Sequence, residues 1–366
     1  MPLQIVEMKE KKIIISGGGT AGHLYPALTV GNKLKEKEPA LRLTFIGSKR
    51  EVEENIMKQY QVDFVTLPIE GIKGRGLKAL KSILLLPLSF LKSFVILLRI
   101  RPGLVIGAGG YSSGPVVLLA SLLKIPTLIL EQNLYPGFTN RLLIPWVRKA
   151  VVSFKSSLPS FKGKGVFIGN PVRDAFYHLP PKERSEKLTI LIFGGSQGSH
   201  FLNKAVIASL PLLKKEIKNL RIVHQTGKKD YEWVKKNYAQ NGFKEVTVAP
   251  YFFEMAAYFQ KSDLIISRAG ATTIAELIAS QKASLLIPFS QATENHQFFN
   301  ARELEKIRGA EIILEKEFTP EILADKIFSF LQNKEKIALM EKNLVPLKTE
   351  KVPEKISNLC FELMEA

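Results

Sequence analysis

A short β-branched run, Lys12 to Ser16, breaks into glycines and then into a stretch, His23 to Lys37, whose apolar residues recur at helical spacing. The same order returns far down the chain: Leu188 to Phe193, then Gly194-Gly195-Ser196-Gln197-Gly198, then helical spacing from about Ser199 to Lys215. A strand that turns through glycines into a helix is the opening of a βα unit in a parallel sheet, and its recurrence calls for two such sheets. Further apolar runs at Leu41–Ile46, Val62–Leu67, Leu104–Ile106, Thr127–Leu130, Ala150–Phe154 and Gly165–Ile168 continue the first set. Arg221–Gln225, Glu245–Ala249, Leu264–Ser267 and Ser284–Pro288 continue the second. The expected fold is α/β, two doubly wound Rossmann-like domains facing each other across a cleft, with ligands outside the carboxyl ends of the strands. The 366-residue length fits two cores better than one. The expected division is 1–170, a Pro180-Pro181-containing charged linker at 171–187, a second domain at 188–345, and a C-terminal helix at 346–366 that packs back on the first domain.

Composition excludes several classes. With 46% hydrophobic and 23% charged residues the chain is an ordinary globular protein. The single cysteine, Cys360, excludes an intrachain disulfide and a cysteine-cluster metal site, and fits a reducing compartment. A net charge of +18 implies an anionic partner. Nucleic acid is not expected, because no finger, basic helix pair or aromatic RNA motif accompanies the charge. The excess is partly regional: no Asp or Glu falls between Glu70 and Glu131, where Lys73, Arg75, Lys78, Lys81, Lys92, Arg99, Arg101 and Lys124 all lie. That interval includes a nearly continuous apolar stretch, Ile83 to Leu98, interrupted by Pro87 and Lys92. It is shorter than the roughly 20 residues a spanning helix needs. Two short helices around Pro87 are expected, with Leu77, Leu80, Leu84 and Phe90 as an apolar patch and Lys78 and Lys81 in its basic rim, which suits an anionic bilayer surface. The N-terminus lacks the charged-then-apolar order of a secretory signal, so no export is expected.

The first glycine loop, Gly17-x-Gly19-x-x-Gly22, satisfies the dinucleotide fingerprint between a strand and a helix. Its amides and the helix N-terminus suit a phosphate or another anionic oxygen. An oxidoreductase would need an acid at the end of the next strand for the ribose, but that strand ends Gly47-Ser48-Lys49-Arg50, so only NADP would fit. Other loops favour a two-substrate transferase over that alternative. Gly107-Ala108-Gly109-Gly110-Tyr111 adds a glycine turn in the first half, and Arg268-Ala269-Gly270-Ala271-Thr272-Thr273-Ile274-Ala275-Glu276 runs from a strand through a glycine into a helix bearing an acid in its second turn. Amides and hydroxyls there can meet a diphosphate, and the carboxylate can meet ribose hydroxyls.

These residues resemble the MurG family of peptidoglycan N-acetylglucosaminyltransferases, of the two-domain GT-B type. The resemblance rests on segments that fall in order through both halves: Gly18 to His23, Gly109-Gly110-Tyr111 with Ser113-Gly114-Pro115, Glu131-Gln132-Asn133, Gly169-Asn170-Pro171-Val172-Arg173, Gly194 to Gly198, Ala269-Gly270-Ala271 with Glu276, and His296-Gln297 with Asn300-Ala301. It implies inverting transfer of N-acetylglucosamine from UDP-GlcNAc to the 4-hydroxyl of the muramoyl sugar of lipid I, giving lipid II. No cofactor is implied, and the absence of any Asp-x-Asp favours a reaction without metal. Partners would be UDP-GlcNAc, lipid I, the anionic inner leaflet at the cytoplasmic face of the membrane, and other cell-wall synthesis proteins.

His23 is the first candidate for the base, since an imidazole titrates near neutrality, and Glu131 is the alternative. The resemblance puts Thr20, Ala21, Gly22 and Asn133 on the donor side of the first domain, and Gly18, Gly19, Gly109, Gly110 and Tyr111 on the acceptor side. In the second domain it implies Ser196 and Arg173 at the diphosphate, Glu276 at the ribose, Phe252 at the uracil through its backbone, and His296 and Gln297 at the sugar hydroxyls. Ala271, Thr272, Thr273, Ile274 and Ala275 complete the donor set. Two positions depart from the family pattern: Phe252, where a branched aliphatic is frequent, and Ala21, where some members carry glycine.

Overall fold

Parallel strands covered on both faces must be apolar along their whole length, and Ile13-Ile14-Ile15 and Leu188 to Phe193 meet that demand by being buried throughout. The computed structural model describes residues 10–18, 21–49, 53–54, 57–58, 60–69, 78–180, 182 and 186–365. Gly19, Thr20 and Leu77, named above, lie outside the described residues, as do the side chains of Ala21, Lys78, Leu80 and Lys81. The chain divides into two units, Met1–Pro171 with Lys351–Ala366, and Val172–Glu350.

The first unit holds strands β1 (Lys12–Gly17), β2 (Arg42–Ser48), β3 (Phe64–Leu67), β4 (Leu104–Gly109), β5 (Thr127–Glu131), β6 (Lys149–Val152) and β7 (Gly165–Phe167). Its helices are α1 (Ala21–Lys37), α2 (Lys78–Ile100), α3 (Ser113–Leu122) and α4 (Phe138–Leu143). The all-parallel sheet has the order β3-β2-β1-β4-β5-β6-β7, so winding reverses between β1 and β4. The second unit holds β8 (Leu188–Phe193), β9 (Leu220–Gln225), β10 (Val246–Ala249), β11 (Leu264–Ser267), β12 (Ser284–Leu286) and β13 (Ala310–Ile312), ordered β10-β9-β8-β11-β12-β13. Here the reversal lies between β8 and β11. Its helices are α5 (His200–Leu213), α6 (Tyr231–Gln240), α7 (Met255–Lys261), α8 (Ala271–Ser280), α9 (His296–Lys306), α10 (Pro320–Gln332) and α11 (Lys334–Leu344). At such reversals the loops on either side splay apart and leave a crevice at the strand ends. Every glycine loop singled out above flanks one of the two reversals.

The last helix, α12 (Val352–Glu365), packs on α1 within the first unit: Lys37 bonds Asn358 and approaches Glu354 to 4.0 Å, and Lys11 sits 5.3 Å over the Phe361 ring. Three elements differ from the sequence expectation. The 171–187 segment, read as a linker, is anchored in the second unit by Phe176, fully buried and edge-on to Phe259 at 5.0 Å. The short edge strand β13 was not foreseen, because a three-residue run centred on Glu311 carries almost no apolar pattern. The stretch read as two short helices around Pro87 is one continuous helix, α2. An internal proline costs roughly 3 kcal/mol, but Leu86 just before it packs against the core and the turns after it are anchored. Ser89 donates from Oγ to the Leu85 and Pro68 carbonyls at 3.0 and 2.8 Å, and Ser93 and Leu97 are buried.

Candidate active site

In the first unit, β1 and β4 deliver their glycine turns side by side. Gly18 donates its N–H to the Gly109 carbonyl at 3.3 Å, and Gly109 and Gly110 have positive φ, +98° and +81°. His23, on the first turn of α1, lies close against this turn: a Cβ added to Gly109 would meet the imidazole Nδ1 at 2.6 Å. Glycine is required there twice over, by conformation and by contact. On its other side His23 Nδ1 is 3.2 Å from Gln132 Oε1, and Gln132 Nε2 donates to the Ala108 carbonyl at 2.9 Å. Ser113 donates to the Gly110 carbonyl at 2.8 Å, closing the turn into α3, with Tyr111 half-buried beside it.

Glu131, at the carboxyl end of β5, is buried and turned toward its own loop. Its Oε1 accepts from Asn133 N and Nδ2 at 2.9 and 3.3 Å, and its Oε2 from Gly137 N and Asn140 Nδ2 at 2.9 and 2.8 Å. Desolvation raises its pKa, while the bonds from Asn133, Asn140 and Gly137 pull the other way. This arrangement orders the Asn133–Asn140 loop. Glu53 is a second buried acid at these strand ends, accepting from Ser48 N at 2.8 Å and Ser48 Oγ at 2.5 Å.

In the second unit, the β8 and β9 loops are stacked backbone on backbone. A Cβ on Gly198 would lie 2.0 Å from the Thr226 carbonyl oxygen, and its φ is +78°. The loop then enters α5, capped by Ser199 Oγ accepting from Leu202 N at 3.3 Å, and leaves Ser196 exposed at its tip. Gln225, buried at the end of β9, ties this loop to the next: Nε2 donates to the Gly195 carbonyl at 3.0 Å and Oε1 accepts the Phe252 N–H at 2.7 Å. A uracil contact through the Phe252 backbone therefore falls to its carbonyl. The Phe252 ring itself is buried against Tyr258, with centroids 4.0 Å apart.

Across the reversal, α8 begins with Ile274 N bonded to the Gly270 carbonyl at 2.9 Å, which puts Ala271, Thr272 and Thr273 in its first turn. Ile274 faces the core rather than the helix end, and Ala275 is half-buried. One turn on, Glu276 pairs with Arg173 at 3.7 Å, and Arg173 also reaches the Phe253 carbonyl at 3.3 Å and the Phe176 ring at 5.2 Å. Desolvation raises the Glu276 pKa to about 7, against the opposing pull of Arg173. At the start of α9, Gln297 Oε1 accepts two backbone N–H groups, from Ala269 at 3.2 Å and Phe289 at 3.0 Å, so a ligand there would meet its amide nitrogen. His296 Nδ1 lies 2.6 Å from the Thr293 carbonyl, which can only accept, leaving the lone pair on Nε2. Desolvation lowers the His296 pKa, against opposing pulls from the Thr293 carbonyl and Glu294. Just before it, Glu294 and Asn295 both take left-handed conformations, φ +55° and +54°, a local strain of the kind that collects at functional loops.

Three organising residues were not singled out from sequence. Gln132 lies inside a quoted motif, and Gln225 was signalled only by a polar residue ending an apolar strand. Arg268 was quoted but given no role. It is buried, with Nε on Ser199 Oγ at 3.0 Å, Nη1 on the Ile287 carbonyl at 3.0 Å and Nη2 on Glu315 at 2.6 Å, so it holds the β8, β11 and β12 loops together.

A separate surface of the first unit carries the apolar patch. Leu84, Leu88, Leu91, Val95 and Leu98 are exposed along one face of α2, at the spacing of a single helical stripe, with Leu84 72% exposed and Phe90 half-buried. α2 packs on α3 and α3 on α4, and exposed Leu122, Leu142 and Trp146 extend the apolar surface. Among the described residues no helix is long and apolar enough to cross a membrane.

Residues 13–152 match the family described as Glycosyltransferase family 28 N-terminal domain, and residues 189–359 match Glycosyltransferase family 28 C-terminal domain. The chain is 38% identical over 357 residues, 96% of its length and 93% of the relative, to the UDP-N-acetylglucosamine--N-acetylmuramyl-(pentapeptide) pyrophosphoryl-undecaprenol N-acetylglucosamine transferase of Myxococcus xanthus. A protein of the same description from Syntrophus aciditrophicus is 41% identical over 334 residues, 90% of this chain and 92% of the relative. Among solved structures, Acinetobacter baumannii MurG is similar with a TM-score of 0.76 and 28% identity, covering 96% of this chain and 99% of that one. A UDP-GlcNAc 2-epimerase from Neisseria meningitidis, bound to UDP-GlcNAc, shares the fold with a TM-score of 0.67 at 13% identity, over 96% of this chain and all of that one (100%).

Proposed function

This chain belongs to glycosyltransferase family 28, in its MurG family of two-domain GT-B enzymes, and is an N-acetylglucosaminyltransferase of lipid II synthesis; from that premise we propose how its residues divide the work. The second unit holds UDP-GlcNAc and the first holds lipid I. The NADP oxidoreductase alternative has no support from these relatives.

The observation that carries the donor assignment is the Arg173–Glu276 pair at the first turns of α8. A half-exposed guanidinium beside a largely buried carboxylate, at a helix N-terminus, offers positive charge to a diphosphate and acceptor oxygens to ribose hydroxyls in one place. The positive end of the α8 dipole and the exposed Ser196 tip favour the same oxygens. His296 Nε2 and the Gln297 amide nitrogen then face the sugar hydroxyls. On the acceptor side, the Gly109-Gly110-Tyr111 turn supports the muramoyl end of lipid I beside His23. The reaction is a single displacement: His23 Nε2 takes the proton of the 4-hydroxyl, that oxygen bonds to C1 of N-acetylglucosamine, and the bond from C1 to the β-phosphate oxygen breaks as UDP departs. Charge growing on the leaving diphosphate meets Arg173 and the α8 N-terminus, which need no reorganisation at that moment.

The division of labour is tested with two binding titrations and one assay. UDP-GlcNAc plus a lipid I analogue should yield the disaccharide product, with Arg173→Ala weakening the donor and Tyr111→Ala the acceptor. Donor binding untouched by Arg173→Ala would refute the assignment. We further place the apolar face of α2, with Leu122, Leu142 and Trp146, on the inner leaflet as a peripheral contact, where Lys92, Arg99 and Arg101 each contribute about 1 kcal/mol against anionic lipid. Leu88→Glu with Leu91→Glu is expected to abolish flotation with anionic vesicles while sparing transfer to a water-soluble acceptor. Flotation that survived both charges would remove α2 from the interface.

A further inference from the structure

We infer that Gln132 is a positioning residue for His23, one that fixes which ring nitrogen carries the proton. The inference rests on the reading of His23 as the base. The Ala108 carbonyl can only accept, so the Gln132 amide must turn its nitrogen toward it, at 2.9 Å. The Gln132 oxygen then faces His23 Nδ1 at 3.2 Å, and an oxygen can only accept from that nitrogen. A neutral His23 therefore holds its proton on Nδ1 and its lone pair on Nε2. Gln132 is itself buried, and Ala108 is fully buried at the end of β4, so neither partner can swing to water and release the constraint.

The ring is held in place as well as in tautomer. Gly109 lies against it with φ +98°, leaving no room for a methyl group at that position. A fixed ring with its lone pair on Nε2 is the form a general base needs, and a ring in the wrong tautomer presents a donor where an acceptor is required. The arrangement has the logic of the buried carboxylate behind a catalytic histidine, but a neutral amide does the orienting. It therefore sets the tautomer without adding a charge that would hold the imidazolium.

The test is a ring-nitrogen NMR spectrum of protein labelled with 15N-histidine. The chain has five histidines, and comparison with His23→Ala identifies the signal. Wild type is expected to show His23 protonated on Nδ1 when neutral, and Gln132→Met to lose that signature. Gln132→Glu, which keeps an acceptor oxygen, is expected to retain it. In parallel, Gln132→Met should lower kcat by roughly 10-fold to 100-fold with the KM for UDP-GlcNAc unchanged, and Gln132→Glu should recover most of it. A wild-type ring protonated on Nε2 overturns the inference, and that spectrum decides the point even if a variant fails to fold. An Nδ1-protonated ring whose loss leaves kcat unchanged instead overturns the base reading beneath it.

Discussion

Replacing Glu276 by glutamine is expected to stabilise the ligand-free protein above neutral pH while weakening its hold on UDP-GlcNAc. Burial lifts this carboxyl from 4.5 to about 7, more than Arg173 can pull it back. A folded-state pKa above the unfolded one means that stability from the group is fully present below pH 4.5 and is lost as pH rises through about 7. The displacement corresponds to about 3 kcal/mol once the group is ionised in the fold. Glutamine never incurs that cost. Urea unfolding should therefore show the variant gaining on wild type between pH 4.5 and 7 and holding a constant lead above it. Binding should run the opposite way. If the ribose hydroxyls donate to the ionised carboxylate, wild-type affinity for UDP-GlcNAc rises as pH passes about 7, and the variant binds roughly 10-fold to 100-fold more weakly at pH 8 with a flatter profile. UDP-GlcNAc suits this measurement because its esterified diphosphate does not titrate in that range. Equal pH dependence in both proteins would show that Glu276 does not meet the ligand as an anion.

The two sheets were legible because buried parallel strands leave continuous apolar runs, and glycines punctuate the turns where those strands enter helices. Lys12 to Ser16 and Leu188 to Phe193 carry both marks, and β1 and β8 lie where they predict. What the pattern could not carry is continuity through a proline or pairing at an edge. Pro87 reads locally as a break, yet Leu86 packs on the core before it and Ser89, Ser93 and Leu97 are buried after it, and β13 has too few residues to show a period. The site divides in the same way. Residues that would touch substrate, such as His23, Arg173 and Glu276, stand in recognisable local motifs. The residues that hold them, Gln132, Gln225 and Arg268, act through bonds to distant backbone: Gln132 reaches Ala108, Gln225 joins Gly195 to Phe252, and Arg268 joins Ser199 to Ile287. No spacing in one chain announces such bonds, because they depend on which strand ends become neighbours.

His23→Ala is expected to lower kcat by roughly 10²-fold to 10⁴-fold, the range associated with a general base, while leaving the KM for UDP-GlcNAc and the unfolding midpoint close to wild type. His23 is half-buried at the start of α1, and alanine is the better helix former, so the loss of the imidazole's bond to Gln132 is partly offset and stability should move by about 1 kcal/mol or less. Glu131→Gln gives the contrasting result that separates the two candidate bases. Both Glu131 oxygens accept from loop donors, and an amide nitrogen in place of either would face N–H groups instead of receiving them. That substitution should destabilise the first unit by roughly 1–3 kcal/mol and lose activity only as its loop loosens, so the deficit should shrink at lower temperature. Turnover measured at two temperatures, beside denaturant midpoints, distinguishes the cases. A chemical role leaves a folded enzyme that is slow at both temperatures, and a loop-ordering role leaves one whose rate follows its stability. If His23→Ala followed its stability and Glu131→Gln stayed folded and slow, the base would be Glu131, and the four donors around it would have to part before the acceptor hydroxyl could reach it.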